Sequence, residues 1–84
     1  MADHYYIVTR PDCIWCDRAK ALITQHLGTY TEFVYWPTES SSWSKFFMKT
    51  HGLKTVPQIF DSQYDLIGGY DSLKHYLNGY DNYN

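Results

Sequence analysis

Tyr5-Tyr6-Ile7-Val8-Thr9 is a run of aromatic and β-branched residues, and such a run predicts a buried strand. Arg10-Pro11-Asp12 breaks it. From about Ile14 to Leu27, the apolar positions Ala19, Leu22, Ile23 and Leu27 recur at helical spacing, with Asp12 as a candidate N-cap and Gly28 as the stop. Glu32-Phe33-Val34-Tyr35-Trp36 reads as a second strand closed by Pro37. Ser40-Ser41-Ser42 reads as a loop running into a second helix. There Trp43, Phe46 and Phe47 form an apolar stripe at i, i+3 and i+4, ending near Gly52 and expected to pack into the core. Val56 to Phe60 is a third strand with Pro57 near its start. Gln63 to Ile67 is a fourth strand and the hairpin partner of the third, and Gly68-Gly69 breaks it. Leu73, Tyr76 and Leu77 mark a last short helix, and the polar stretch from Tyr80 to Asn84 is expected to fray.

The predicted order is therefore β-α-β-α-β-β-α. Strands that alternate with helices run parallel through right-handed crossovers, so the first two strands should pair in that sense. The chain has no internal repeat or linker, and its 84 residues suffice for one domain. The core must come from ordinary apolar residues, and nine Tyr, four Phe and three Trp carry much of its volume. A formal net charge of −2 implies no general attraction to nucleic acid. No run approaches the roughly 20 apolar residues of a membrane span. Met1-Ala2-Asp3-His4 shows no basic region leading into a secretory apolar stretch, which predicts a cytoplasmic location.

In that compartment a pair of cysteines serves redox chemistry or metal binding rather than structure. Cys13 and Cys16 stand three positions apart, and a bridge closing so short a loop adds little stability. The motif Cys13-Ile14-Trp15-Cys16 follows the first strand and opens the first helix. A helix N-terminus offers free backbone N–H groups and partial positive charge, which favour a thiolate, the reactive form of cysteine. Cys13 is then the nucleophile, and Cys16, one turn into the helix, the resolving thiol. Arg10 and Arg18 should favour the Cys13 thiolate while Asp12 and Asp17 oppose it, and sequence leaves the balance open. A structural zinc site would need further Cys or His ligands. His4, His26, His51 and His75 show no paired spacing, so no metal is expected.

Three segments in order, Arg10-Pro11-Asp12-Cys13-Ile14-Trp15-Cys16, Thr55-Val56-Pro57-Gln58-Ile59-Phe60 and Gly68-Gly69-Tyr70-Asp71-Ser72-Leu73, closely resemble the glutaredoxin family. The resemblance runs from the first strand to the last helix. It implies a single glutaredoxin domain over residues 1–84, with an α/β, thioredoxin-like fold in which three helices flank a four-stranded mixed sheet. It further implies a glutathione-dependent oxidoreductase, monomeric, acting on disulfide-containing or glutathionylated proteins. Ribonucleotide reductase is a partner by family analogy.

Residue by residue, the resemblance implies a cis Val56-Pro57 bond facing the cysteines. Arg10 is assigned to the glycine carboxylate of glutathione, helped by Gln58. The Val56 backbone pairs with the cysteinyl unit, flanked by Thr55 and Pro57. The turn Gly69-Tyr70-Asp71-Ser72 holds the γ-glutamyl end, with helix N–H groups on its carboxylate and Asp71 on its ammonium. Capping of the helix by Asp71 or Ser72 explains the same residue types without a ligand. Two departures stand out. Ile14-Trp15 replaces the family's frequent Pro-Tyr, leaving Trp15 as the aromatic face beside the thiol. Asp71 precedes Ser72, whereas the family often has its acid at the second of these positions. Two other readings stay open: a glutaredoxin-shaped redoxin reduced by thioredoxin reductase, and a carrier of an iron–sulfur cluster held through Cys13 and glutathione.

Overall fold

The computed structural model describes residues 3–35 and 43–81. The expected order of elements is present: β1 (His4–Thr9), α1 (Ile14–Gln25), β2 (Thr29–Val34), α2 (Trp43–Thr50), β3 (Gln58–Phe60), β4 (Leu66–Gly68) and α3 (Tyr70–Asp81). The strands form one mixed sheet in the order β2-β1-β3-β4. β1 runs parallel to β2 with His4 opposite Thr29 and Thr9 opposite Val34, and antiparallel to β3. β3 and β4 form the predicted antiparallel hairpin.

Alternation along β1 divides the core between the two faces of the sheet. Tyr5 and Ile7 point to one side and pack with Ala19 and Ile23 of α1, Ile59 of β3, and Leu73 and Leu77 of α3. Val8 points to the other side and packs with Phe60 and with Met48 of α2, bordered by Tyr6, Phe33, Tyr35, Leu53 and Val56. Ile7, Val8, Ile59 and Phe60 are all fully buried, so the two central strands are covered on both faces.

Several boundaries differ from the sequence reading, each for a physical reason. β2 begins three residues earlier than Glu32, because pairing with β1 extends it to Thr29. It is an edge strand, largely exposed, and so lacks an apolar signature at its start. The ends assigned to Trp36-Pro37 and to Ser40-Ser42 lie outside the described residues. Residues 63–65 form a turn rather than strand: the Asp61 carboxylate accepts the backbone N–H groups of Gln63 (2.8 Å) and Asp65 (3.0 Å), and Tyr64 takes φ +67°. β4 therefore starts at Leu66 and includes Gly68. α3 is longer than expected and runs through Tyr80 to Asp81, with residues 82–84 outside the described part. In α2, Phe46 is exposed rather than packed and Met48 is buried, and the side chains of Trp43 and Phe47 lie outside the described part.

The termini of α1 also differ from the reading. Cys13, not Asp12, is its N-cap. At the other end Leu27, not Gly28, takes the left-handed conformation (φ +63°). Gly28 is needed for closeness instead: a Cβ there would lie 3.0–3.1 Å from Ile23, the Asp3 carbonyl and Tyr5.

A polar network fastens α1 to the sheet. The Thr9 hydroxyl, almost fully buried, donates to the Glu32 carboxylate (2.6 Å), and the Lys20 ammonium donates to the same oxygen (3.1 Å). Lys20 also lies 3.6 Å from Asp17. Partial burial opposes ionisation of Glu32, yet the Thr9 hydroxyl and the Lys20 ammonium outweigh it and hold the carboxyl below its ordinary value. Burial likewise opposes the charge of Lys20, and Glu32 and Asp17 overcome it and raise its pKa. A depressed carboxylate contributes stability that is complete above its unfolded value and is lost as pH falls through the folded one. Glu32→Gln is thus expected to flatten the loss of stability in acid, from about pH 5 downward. Thermal unfolding of both proteins across that range checks this, and parallel acid limbs would exclude Glu32 as a contributor.

Candidate active site

β1 ends at Thr9, and the loop through Arg10, Pro11 and Asp12 carries the chain to Cys13 at the start of α1. Asp12 turns it with φ +57°. Asp residues tolerate that region because their short polar side chain bonds locally. Cys13 itself has extended backbone angles (φ −114°, ψ 100°), as an N-cap requires, and its Sγ accepts the backbone N–H of Cys16 at 3.1 Å. A sulfur thus occupies the place of the usual capping oxygen. Cys13 and Cys16 form a disulfide with Cα atoms 5.2 Å apart. Cys13 is half-buried, whereas Cys16 is 1% exposed. This difference in access suits an attacking thiol and a resolving one.

The four charges that flank the motif are distributed unequally. The Arg18 guanidinium lies 4.6 Å from the Trp15 ring centroid, and that of Arg10 lies 5.5 Å from the centroid of Tyr35. Asp17 faces Lys20, which draws its charge toward the network under the helix.

A cavity of about 320 Å³ is lined by Trp15, Thr55, Val56, Pro57, Gly69, Tyr70, Asp71 and Ser72. That volume is at the lower end of small-ligand sites, roughly 300–1,000 Å³. Trp15, between the cysteines in the chain, forms one wall with Tyr70, their ring centroids 5.2 Å apart. The Val56-Pro57 bond is cis. Opposite it lies Gly69 at the start of α3, where a Cβ would sit in ordinary contact, 3.6 Å from the Pro57 carbonyl oxygen. Tyr70 opens α3, so Asp71 and Ser72 lie inside its first turn rather than at its cap. The positive helix end adds to their capacity for a zwitterionic group.

Eight of the residues proposed from sequence for ligand binding thus converge on one cavity. Arg10 and Gln58 do not line it: Arg10 sits over Tyr35, and buried Gln58 donates from its amide to the Thr55 hydroxyl (3.2 Å). Sequence reasoning missed the Thr9–Glu32–Lys20 network. Its signal was a lone carboxylate inside an aromatic and β-branched strand. Among the described residues, no group of three or more His, Cys, Asp or Glu is placed to hold a metal ion, and no helix is long and apolar enough to cross a membrane.

Gly68 governs how β4 turns into this site. Its φ of +128° disfavours any side chain, and a Cβ would fall 2.7 Å from Ser72 Oγ. Gly68→Ala is expected to cost about 1–3 kcal/mol and to displace Ser72. Urea unfolding measures the cost, and an unchanged midpoint would show that the turn relaxes freely.

No family model matches the chain. It is 37% identical over 67 residues to Glutaredoxin 1 of Rickettsia felis, and 37% identical over 68 residues to Glutaredoxin 1 of Rickettsia conorii. Each alignment covers 80% of this chain and 65% of the relative, so the chain spans just under two thirds of the length of these relatives. Among solved structures, Glutaredoxin 1 from Francisella tularensis complexed with cacodylate superposes with a TM-score of 0.73 at 27% identity, covering 96% of this chain and 99% of that one. The solution structure of glutaredoxin from Brucella melitensis gives 0.67 at 30% identity, covering 96% and 86%. A buckwheat glutaredoxin–glutathione complex gives 0.69 at 25% identity, covering 92% and 71%. With the mixed sheet and three helices, these likenesses place the fold in the thioredoxin-like α/β class.

Proposed function

The chain belongs to the glutaredoxin family, and from that premise we propose that it is a glutathione-dependent thiol–disulfide oxidoreductase. The observation that carries this reading is the Cys13 sulfur at the N-terminus of α1, where it accepts the Cys16 N–H. Once the disulfide is reduced, the same N–H and the helix end favour Cys13 as thiolate.

In the proposed reaction, the Cys13 thiolate attacks the glutathionyl sulfur of a mixed disulfide and the protein thiolate leaves. A second glutathione thiolate attacks the glutathionyl sulfur of that new mixed disulfide, giving glutathione disulfide and releasing Cys13 as thiolate. With a protein disulfide, Cys13 forms a bond to one substrate sulfur and releases the other. Cys16 then attacks Cys13, frees the second substrate thiol and closes the Cys13–Cys16 disulfide. Two glutathione molecules reduce that bond and become glutathione disulfide. Potentials of about −200 to −230 mV, usual for glutaredoxins, permit this against a cytosolic glutathione pool. We propose the cytoplasm as the compartment and ribonucleotide reductase as one acceptor of the electrons.

The residues that line the cavity suit glutathione. Asp71 offers a carboxylate to its ammonium group, and N–H groups at the start of α3 suit its α-carboxylate. Trp15 and Tyr70 supply an aromatic wall. One of the solved relatives is a glutaredoxin–glutathione complex.

The test is reduction of a small glutathione mixed disulfide coupled to glutathione reductase and NADPH, alongside reduction by thioredoxin reductase. Turnover with glutathione supports the proposal. Reduction by thioredoxin reductase alone would replace it with a redoxin outside the glutathione pathway. Cys16→Ser should retain turnover of the glutathione mixed disulfide and lose reduction of protein disulfides. Loss of both would refute the division of roles between the cysteines.

A further inference from the structure

A second cavity adjoins the first, and nothing in the proposed glutathione chemistry uses it. It has a volume of about 550 Å³, and its lining includes Asp61, Leu66, Asp71, Ser72, His75 and Tyr76. Asp71 and Ser72 line both cavities, so the two lie side by side, the first reaching to Trp15 and the second to residues of β4 and α3. Leu66 and Tyr76 give this extension an apolar floor that is 38–39% exposed. Of the residues lining it, those with formal charge at neutral pH are Asp61 and Asp71, both negative.

We propose that this extension binds the segment preceding the cysteine of a protein disulfide substrate, and that it selects a lysine or arginine there. The inference rests on the reading of the first cavity as the glutathione site. Glutathione joins its glutamyl unit to the amino side of its cysteine through the γ-carboxyl, so the ligand ends beside Asp71 and Ser72. A protein chain seated by the same cysteine has a further residue at that point and continues past it. On the far side of Asp71 and Ser72 lies the second cavity, where the backbone crosses Leu66 and Tyr76. A cationic side chain in this part of the substrate meets Asp61 and Asp71. Such rim charges act mainly on specificity and on the rate of association.

The step itself conserves atoms and electrons. The Cys13 thiolate bonds to one sulfur of the substrate and expels the other as thiolate. Cys16 gives up its proton and attacks Cys13, expelling the first substrate sulfur. Two electrons pass from the cysteine pair to the substrate, which leaves as two thiols.

Symmetric disulfides of short single-cysteine peptides provide the probe, because either half that enters carries the same sequence. One peptide has two lysines on the amino side of its cysteine, and its isomer has them on the carboxyl side at equal net charge. The reduced protein should react about three- to tenfold faster with the first, as expected for contacts with exposed carboxylates. The preference should shrink as salt is raised. Asp61→Asn keeps an oxygen to accept the Gln63 and Asp65 N–H groups and removes only the charge. It should lower the preference while leaving the rate with glutathione disulfide unchanged. Equal rates for the two isomers in a protein active on glutathione disulfide would overturn the extension alone. Inactivity toward glutathione disulfide would instead overturn the assignment of the first cavity.

Discussion

Cys13→Ser is expected to abolish reduction of glutathione mixed disulfides and of protein disulfides alike, by on the order of a thousandfold or more. A serine hydroxyl does not ionise near neutral pH and cannot form the sulfur–sulfur bond through which the electrons pass. The fold should be indifferent to the change. Serine is a preferred N-cap, and its oxygen can take over the Cys16 N–H that the Cys13 sulfur now accepts. The reduced wild type and the variant should therefore unfold at closely similar temperatures. The paired measurement matters, because activity lost together with stability would point to a structural role for Cys13. Substantial turnover in a stable Cys13→Ser protein would remove Cys13 from the reaction altogether.

The largest effect on stability is expected at Phe60. It is fully buried on the face of the sheet that meets α2, packed with Val8 and Met48, with the His51 ring centroid 5.1 Å away. Phe60→Ala removes the whole ring from a site with little freedom to collapse, since β1 backs it on one side and β4 on the other. A cost of about 3–5 kcal/mol follows from comparable truncations. Domains of this kind have total stabilities of about 5–15 kcal/mol, so the variant should be partly unfolded even without denaturant if the wild type is at the low end. Urea titration followed by circular dichroism measures the loss. A cost below about 1 kcal/mol would mean that α2 does not seal this face.

The sequence made the site more legible than the edges of the fold. Cys13 and Cys16 announced themselves by spacing and by position after a strand, although the helix cap falls to Cys13 and not to Asp12. The motifs around Pro57 and Gly69 converge on one cavity because β3 is central and α3 begins directly after β4. Gly68 and Gly69 read as a strand breaker from sequence. In the fold, Gly68 ends the strand and its φ of +128° and the nearness of Ser72 require glycine, while Gly69 has ordinary room beside Pro57, a distinction that only tertiary neighbours make. β2 and β4 were misplaced because they are the outer strands. Their bounds are decided by pairing with β1 and β3 and by the Asp61 turn, not by local apolar pattern. Phe46 illustrates the same limit for helices: a stripe at i and i+3 marks a helix, while the distance to the sheet decides which residues are covered, and Phe46 is not while Met48 is.

The carboxylate network under α1 has a consequence for the outer strand of the sheet. β2 is six residues long, rich in Thr, Tyr, Phe and Val, and open on its outer side among the described residues. An open strand of that composition is a template on which another chain could assemble, and folded proteins blunt such templates with charge set into the strand. Glu32 is the charge within β2, and it is kept ionised by the same Thr9 hydroxyl and Lys20 ammonium that hold the helix in place. One carboxylate therefore serves two ends: it ties the helix that bears the cysteines to its sheet, and it sets a charge into an otherwise uncharged outer strand.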